Sequence, residues 1–121
     1  MLLNHQRSAA DAISVTTSLE PVAVRMGNTV LAESRGVAIL HEPGYPPRYY
    51  FPRLDVKMDL FAPSTKTTTC PHKGKAEYFH LKTGNPEGQN IAWSYPSPFL
   101  AVAEISGFIS FYDDAPGITI G

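Results

Sequence analysis

From Glu20 onward the chain alternates, with Val22, Val24 and Met26 on one side and Ala23 and Arg25 on the other. Successive strand residues point to opposite faces, so this pattern predicts a half-buried strand. Gly27-Asn28 supplies the backbone freedom of a tight hairpin turn, and Thr29 to Glu33 returns as a second strand. Ser34-Arg35-Gly36 turns the chain again before a strand over Val37 to His41. Glu42-Pro43-Gly44-Tyr45-Pro46-Pro47 reads as a loop, because proline has no N–H to give a ladder, and Arg48 to Phe51 resumes a strand.

Pro52 fits a first helical position and Val56 and Leu60 recur four residues apart, which predicts a short helical turn near residues 52–60, ended by Pro63. Lys75 to Leu81 alternates Ala76, Tyr78 and His80 against Glu77, Phe79 and Leu81. Apolar bulk on both faces marks a central strand. Lys82 to Asn90 suits an exposed loop, and Ile91 to Tyr95 is the returning strand. A single short helix is expected near residues 98–106, with Phe99, Val102, Ala103 and Ile105 on its apolar side and Gly107 as its stop. Phe108 to Tyr112 closes the sheet.

Residues 1–18 are polar and show no sustained period, which predicts a flexible N-terminal arm. Residues 114–121, with Pro116 and Gly117, read as a loose C-terminal tail. Between them, residues 19–113 form one domain. The expected fold class is mainly β, with minor helix (α+β), in twisted antiparallel sheets.

Composition narrows the function classes. Ten basic residues stand against eleven acidic ones for a formal charge of -1, so no broad field gathers phosphate backbones or anionic lipid. Neither nucleic acid nor a membrane is an expected partner. One cysteine forms no internal disulfide, zinc knuckle or Cys-x-x-Cys pair, which favours a reducing, cytoplasmic setting. The longest apolar runs, Val37 to Leu40 and Phe99 to Ala103, fall short of the roughly 20 residues that span a bilayer. The N-terminal stretch lacks a basic start followed by a long apolar core, so no secretion signal is expected.

The densest chemistry lies in Thr67 to Tyr78, which places Cys70 beside Pro71, His72 and Lys73. A nearby cation lowers a thiol pKa and raises its nucleophilicity, but free cysteine is also among the residues most often buried as packing. Cys70 and His72 share a side only if Pro71 keeps the backbone extended. Arg53 and Asp55 flank Leu54, offering either a fork to a carboxylate or phosphate, or ion pairs with Lys73 or Asp59. Lys73-Gly74 either sets an ammonium beside an approachable backbone, which suits an anion, or is an ordinary turn. Trp93 and Tyr95 lie on one side of their strand with Ile91, as pocket lining or as core. Tyr49 and Tyr50 face opposite ways, and Glu77 is expected at the surface. His5 lies in the arm and His41 and His80 stand alone, so no metal or other cofactor is expected.

Four blocks carry a resemblance. Tyr50-Phe51-Pro52-Arg53-x-Asp55-Val56, Thr69-Cys70-Pro71-x-Lys73-Gly74-x-Ala76-x-Tyr78, Trp93-Ser94-Tyr95-Pro96-x-Pro98 and Ile105-x-Gly107-x-x-x-Phe111-Tyr112 resemble one small family across about Pro21 to Tyr112. It is the domain of unknown function four-two-seven, also filed under a nucleotidyltransferase-like label. The resemblance implies a β-tent type of fold, similar to methionine sulfoxide reductase B. Many such relatives hold zinc between two cysteine pairs, whereas this chain offers only Cys70, so no structural zinc is expected. Its residues supply neither the metal-binding aspartate pair of a nucleotidyltransferase nor a glycine-rich phosphate loop. His72 stands where relatives often carry an aromatic ring.

Three functional readings follow. In the first, Arg53, Asp55, Thr69, Cys70, Lys73, Trp93 and Tyr95 gather on a concave sheet face and bind a small anionic or nucleotide-like ligand, with Arg53 and Lys73 on the anionic group and Trp93 stacked on a flat moiety. In the second, the chain is a non-catalytic interaction module that forms a homodimer. The third is a thiol enzyme using Cys70, and whether any reaction is catalysed stays open.

Overall fold

A computed structural model describes residues 13–83 and 86–121. The described strands, in chain order, are β1 (Ser14–Thr17), β2 (Val22–Met26), β3 (Thr29–Ser34), β4 (Ala38–His41), β5 (Arg48–Phe51), β6 (Phe61–Cys70), β7 (Gly74–Leu81), β8 (Ala92–Ser94), β9 (Ile109–Phe111) and β10 (Ile118–Ile120). Seven of them form one antiparallel sheet in the order β1-β4-β5-β9-β8-β7-β6, and three form a second in the order β10-β2-β3. The mainly β, antiparallel class is what the alternation predicts. As expected, β7 lies inside the large sheet, between β6 and β8.

Period-two alternation gives the large sheet two different faces. Phe51, Phe79, Ala92, Ile109 and Phe111 project from one face and meet Val22, Val24, Leu31 and Ile118 of the small sheet in one buried cluster. Leu40, Tyr50, Ala76, Tyr78 and Trp93 project from the other and pack with Tyr95, Val102 and Ile105. Burying a large apolar side chain contributes about 1.5–3 kcal/mol, so the first cluster fixes the strands whose reverse face carries the second. Phe111 is its hub, with ring centroids 5.7 Å from Phe51 and 6.0 Å from Phe61.

Several expectations change. The helical turn near 52–60 is two 3₁₀ turns, Arg53–Asp55 and Met58–Leu60, split at Val56, whose extended backbone bridges to Ala32 of β3. Pro63 does not stop a helix but sits within β6, an edge strand, where its missing N–H is tolerated, and the register shifts between Pro63 and Thr67. The helix near 98–106 is also 3₁₀, over Leu100–Ile105, and kinks at Val102. Three residues apart in the 3₁₀ segment, Val102 and Ile105 come to the same side and are buried; Ala103 and Phe99, which precedes the segment, are exposed. β9 does not close the sheet at an edge; it lies between β5 and β8.

Described parts of the expected arm and of the expected tail are strands. Ser14–Thr17, within the expected arm, pairs with β4; residues 1–12 lie outside the described residues. The expected loose tail holds β10, which pairs with β2 through Ile118, Thr119 and Ile120. Gly117 has a φ of +82°, and its carbonyl accepts from the Gly27 N–H at 3.0 Å, so the turn that brings β10 home is anchored on the β2–β3 hairpin. Phe111→Ala is expected to cost about 3–5 kcal/mol, read as a lower urea midpoint with an unchanged slope.

Candidate ligand site

On the aromatic face, adjacent strands set Tyr78 opposite Trp93, Trp93 opposite Ser110, and Ser110 opposite Tyr50. Ser110 is small and fully buried, and its hydroxyl donates to the Tyr49 carbonyl at 2.9 Å. The larger rings therefore meet across it: Trp93 and Tyr50 stand edge to face at 6.4 Å between centroids, and Trp93 Nε1 donates to the Tyr50 hydroxyl at 3.3 Å. Tyr49 packs instead with the inter-sheet cluster, on the opposite face from Tyr50 as alternation requires.

These rings wall a cavity of about 300 Å³, whose rim is formed by Glu42, Tyr45 and Pro46 from the loop between β4 and β5. Arg48, two residues from Tyr50 on β5, reaches the same space. Its guanidinium lies over Trp93 at 5.4 Å and over Tyr112 at 5.9 Å from the ring centroids. Asp113 Oδ1 stands 3.6 Å from Arg48 Nη1, near enough to pair charges but too far for a hydrogen bond, so the buried Nη1 has no acceptor. Lys73 enters from the β6–β7 turn and pairs with Glu42 at 3.1 Å, both side chains being 14% exposed. That turn is held in place at Gly74, whose φ is +121° and whose missing Cβ would lie 3.4 Å from the Ser97 carbonyl, and by the Phe99 N–H donating to the Lys73 carbonyl.

Burial keeps the cavity phenols neutral. It pushes Tyr50 from its ordinary 10.0 up to about 12, against smaller opposing pulls from the Trp93 hydrogen bond and the Arg48 charge. Tyr112 rises to about 12, first through burial and then through its hydrogen bond with Tyr78. Tyr95 rises as well, again through burial foremost.

Of the residues singled out from the sequence, Lys73, Trp93 and Tyr95 line this one cavity. Cys70 is half-buried and packs against the same cluster without lining the cavity, and Thr69, the next residue along β6, is exposed. Pro71 does not keep the backbone extended: Cys70 and Gly74 face each other across a turn closed by the Lys73 N–H to the Cys70 carbonyl, so His72 lies on a turn. Arg53 and Asp55 are not brought to this group. Arg53 lies over Phe79, which belongs to the opposite face, at 5.4 Å, and Asp55 accepts from the Ser34 hydroxyl at 2.6 Å. Neither pairs with Lys73, whose partner is Glu42. Ile91 likewise falls into the inter-sheet cluster, because it precedes β8 and escapes the strand's alternation.

The residues missed by sequence reasoning are Arg48, Glu42 and Tyr112. For Arg48 a signal was present, since it stands two positions from Tyr50 on a recognised strand and must share its face. Glu42 and Tyr112 lie beyond strand ends, where alternation no longer applies. Among the described residues, no three His, Cys, Asp or Glu side chains gather as a metal-binding group, and no helix is long and apolar enough to cross a membrane.

A family model described as Domain of unknown function (DUF427) matches residues 14–120. The chain belongs to this family. The span of the DUF427 match runs from the first residue of β1 to the last of β10, so the family's unit includes both strands that the sequence reading left in an arm and a tail. No curated protein matches the chain.

The raised Tyr50 value has a sign that can be worked out. Unfolded tyrosine loses its proton near about 10. Between there and about 12 the unfolded chain deprotonates while folded Tyr50 does not. Its contribution is therefore whole below pH about 10 and is lost as pH rises through about 12. Denaturation midpoints measured across this range are expected to fall with pH, and less steeply in Tyr50→Phe.

Proposed function

We propose that this domain binds a small organic anion bearing a flat ring in the cavity walled by Tyr50, Trp93, Tyr95 and Tyr112, with Arg48 holding the anionic group. The observation that carries this reading is the Arg48 Nη1, buried beside the cavity without an acceptor. A buried donor left unpaired costs about 1–3 kcal/mol, more when charged, so an occupant that supplies an acceptor gains that energy on binding. Aromatic walls add contact area for a planar group, and neutral phenols add donors without repelling an anion.

Arg48 thus takes the role that sequence reasoning gave to Arg53, while Lys73 is engaged with Glu42 and steadies the rim. The arrangement supports binding and makes no use of Cys70. A single free cysteine, half-buried, suits a reducing compartment and so the cytoplasm.

Trp93 is the only tryptophan, so its fluorescence reports on the site alone. Small organic anions are expected to change that emission and to raise the melting temperature. Arg48→Gln should weaken binding about tenfold or more, since losing one member of a buried charge contact costs about 2–5 kcal/mol. Arg53→Gln, on the other face, should leave it unchanged. Equal affinity in Arg48→Gln and the parent would overturn the assignment.

A further inference from the structure

We infer that the occupant of the aromatic cavity is a single-ring monocarboxylate rather than a nucleotide or a phosphate ester; this rests on the binding role proposed above. Size is the first argument. A cavity of about 150 Å³ holds benzene and ligand pockets begin near 300 Å³, so this one suits one ring with a short substituent. At about 300 Å³ the space is at the small end of ligand pockets, which favours one ring over a base, a sugar and a phosphate together.

Charge is the second argument. The cavity lining contributes Arg48 and Lys73 as cations and Glu42 as an anion, an excess of one positive charge that Asp113, half-exposed and 3.6 Å from Arg48 outside the lining, screens only in part. One carboxylate cancels it. A phosphate monoester carries about -1.5 to -2 at neutral pH, so it would bring surplus negative charge beside Glu42 and Asp113. With Glu42 and Lys73 each only 14% exposed and 3.1 Å apart, their pair stays in place as a fixed part of that balance.

Geometry is the third. The Arg48 guanidinium carbon lies 5.4 Å from the Trp93 ring centroid and 5.9 Å from that of Tyr112, and its Nη1 is the donor left without an acceptor. A guanidinium edge matches the two coplanar oxygens of a carboxylate. Tyr50 accepts from Trp93 Nε1, which leaves its own O–H free to donate. The Tyr95 hydroxyl has no hydrogen bond within the described residues and stays protonated, as burial raises its pKa. A guanidinium edge and two phenol donors suit a small acceptor group of one charge.

The test titrates the full chain with benzoate, benzamide, phenyl phosphate and adenosine monophosphate, following Trp93 fluorescence and calorimetry. Benzoate is expected to bind, benzamide and phenyl phosphate about tenfold more weakly or worse, and adenosine monophosphate not at all. Glu42→Gln provides an independent check that leaves the aromatic walls untouched. It raises the cavity balance by one positive charge and should shift preference toward phenyl phosphate by about tenfold, the order expected of one charge about 10 Å away at an effective dielectric of about 20. If phenyl phosphate or adenosine monophosphate binds the parent more tightly than benzoate, or if Glu42→Gln leaves the preference unmoved, the monocarboxylate inference fails while the anion site stands. If benzamide matches benzoate, or no probe perturbs Trp93, the anion-binding reading fails with it.

Discussion

Three pairs of neighbouring aromatic residues, Tyr50-Phe51, Tyr78-Phe79 and Phe111-Tyr112, are each divided between the two faces of one sheet. Everything else about the molecule depends on that division. The phenylalanines enter the dry space between the sheets, where a ring without a polar atom loses nothing, and the tyrosines go to the face where their hydroxyls find partners or a cavity. Because the strand period is two, a slip of one residue would exchange Tyr50 with Phe51 on β5 and Tyr78 with Phe79 on β7. Phenol oxygens would then lie in an apolar core at a cost of several kcal/mol, so the chemistry of the pairs fixes the register and the register creates the site.

The same division explains how a fold this small holds a cavity. The packing energy is concentrated on the phenylalanine side, where both sheets contribute to one cluster. The tyrosine side is free to be imperfectly filled. Small residues decide where the space opens: Ser110 between Trp93 and Tyr50 lets those two rings reach each other over it, and Ala76 beneath the β7 tyrosine removes bulk from the neighbouring row. Loops then complete the walls. The β4–β5 loop and the β6–β7 turn are tied by Glu42 and Lys73, so the rim is set by an ion pair between two connections rather than by the sheet itself.

What the sequence disclosed follows the same physics. Strands were legible where alternation or turn residues marked them: β2 and β7 fall where apolar and polar residues take turns, and turn or loop residues bracket β3 and β5. β6 was not, because Thr65, Lys66, Thr67, Thr68 and Thr69 are exposed and so carry no apolar period; only the β-branched threonines hinted at a strand. β10 was hidden by its brevity, since two isoleucines flanking one threonine weigh little beside Pro116 and Gly117. The site was legible in part. Trp93 and Tyr95 share a side by spacing alone, but Arg53 was favoured because it stands in a dense motif, and its motif sits on the other face. Arg48, on a plain stretch of strand, was the arginine that alternation placed beside Tyr50. Spacing identified faces well; motif density did not identify which face.

Two buried polar atoms lack a hydrogen bond among the described residues, Arg48 Nη1 and Ser94 Oγ, and their surroundings differ. Ser94 is on β8, fully buried and outside the lining of the aromatic cavity, and a neutral hydroxyl left unpaired costs about 1–3 kcal/mol, which a well-packed core absorbs. Arg48 is charged, so its unpaired donor costs more, and yet the protein leaves it beside open space with two aromatic rings positioned against its guanidinium. Moving Asp113 a few tenths of an ångström closer would satisfy it. That residue is half-exposed and stands off at 3.6 Å, so the chain's own acid screens the charge without occupying the donor. A donor kept dry and left open by its nearest acid is what the proposed anion would meet.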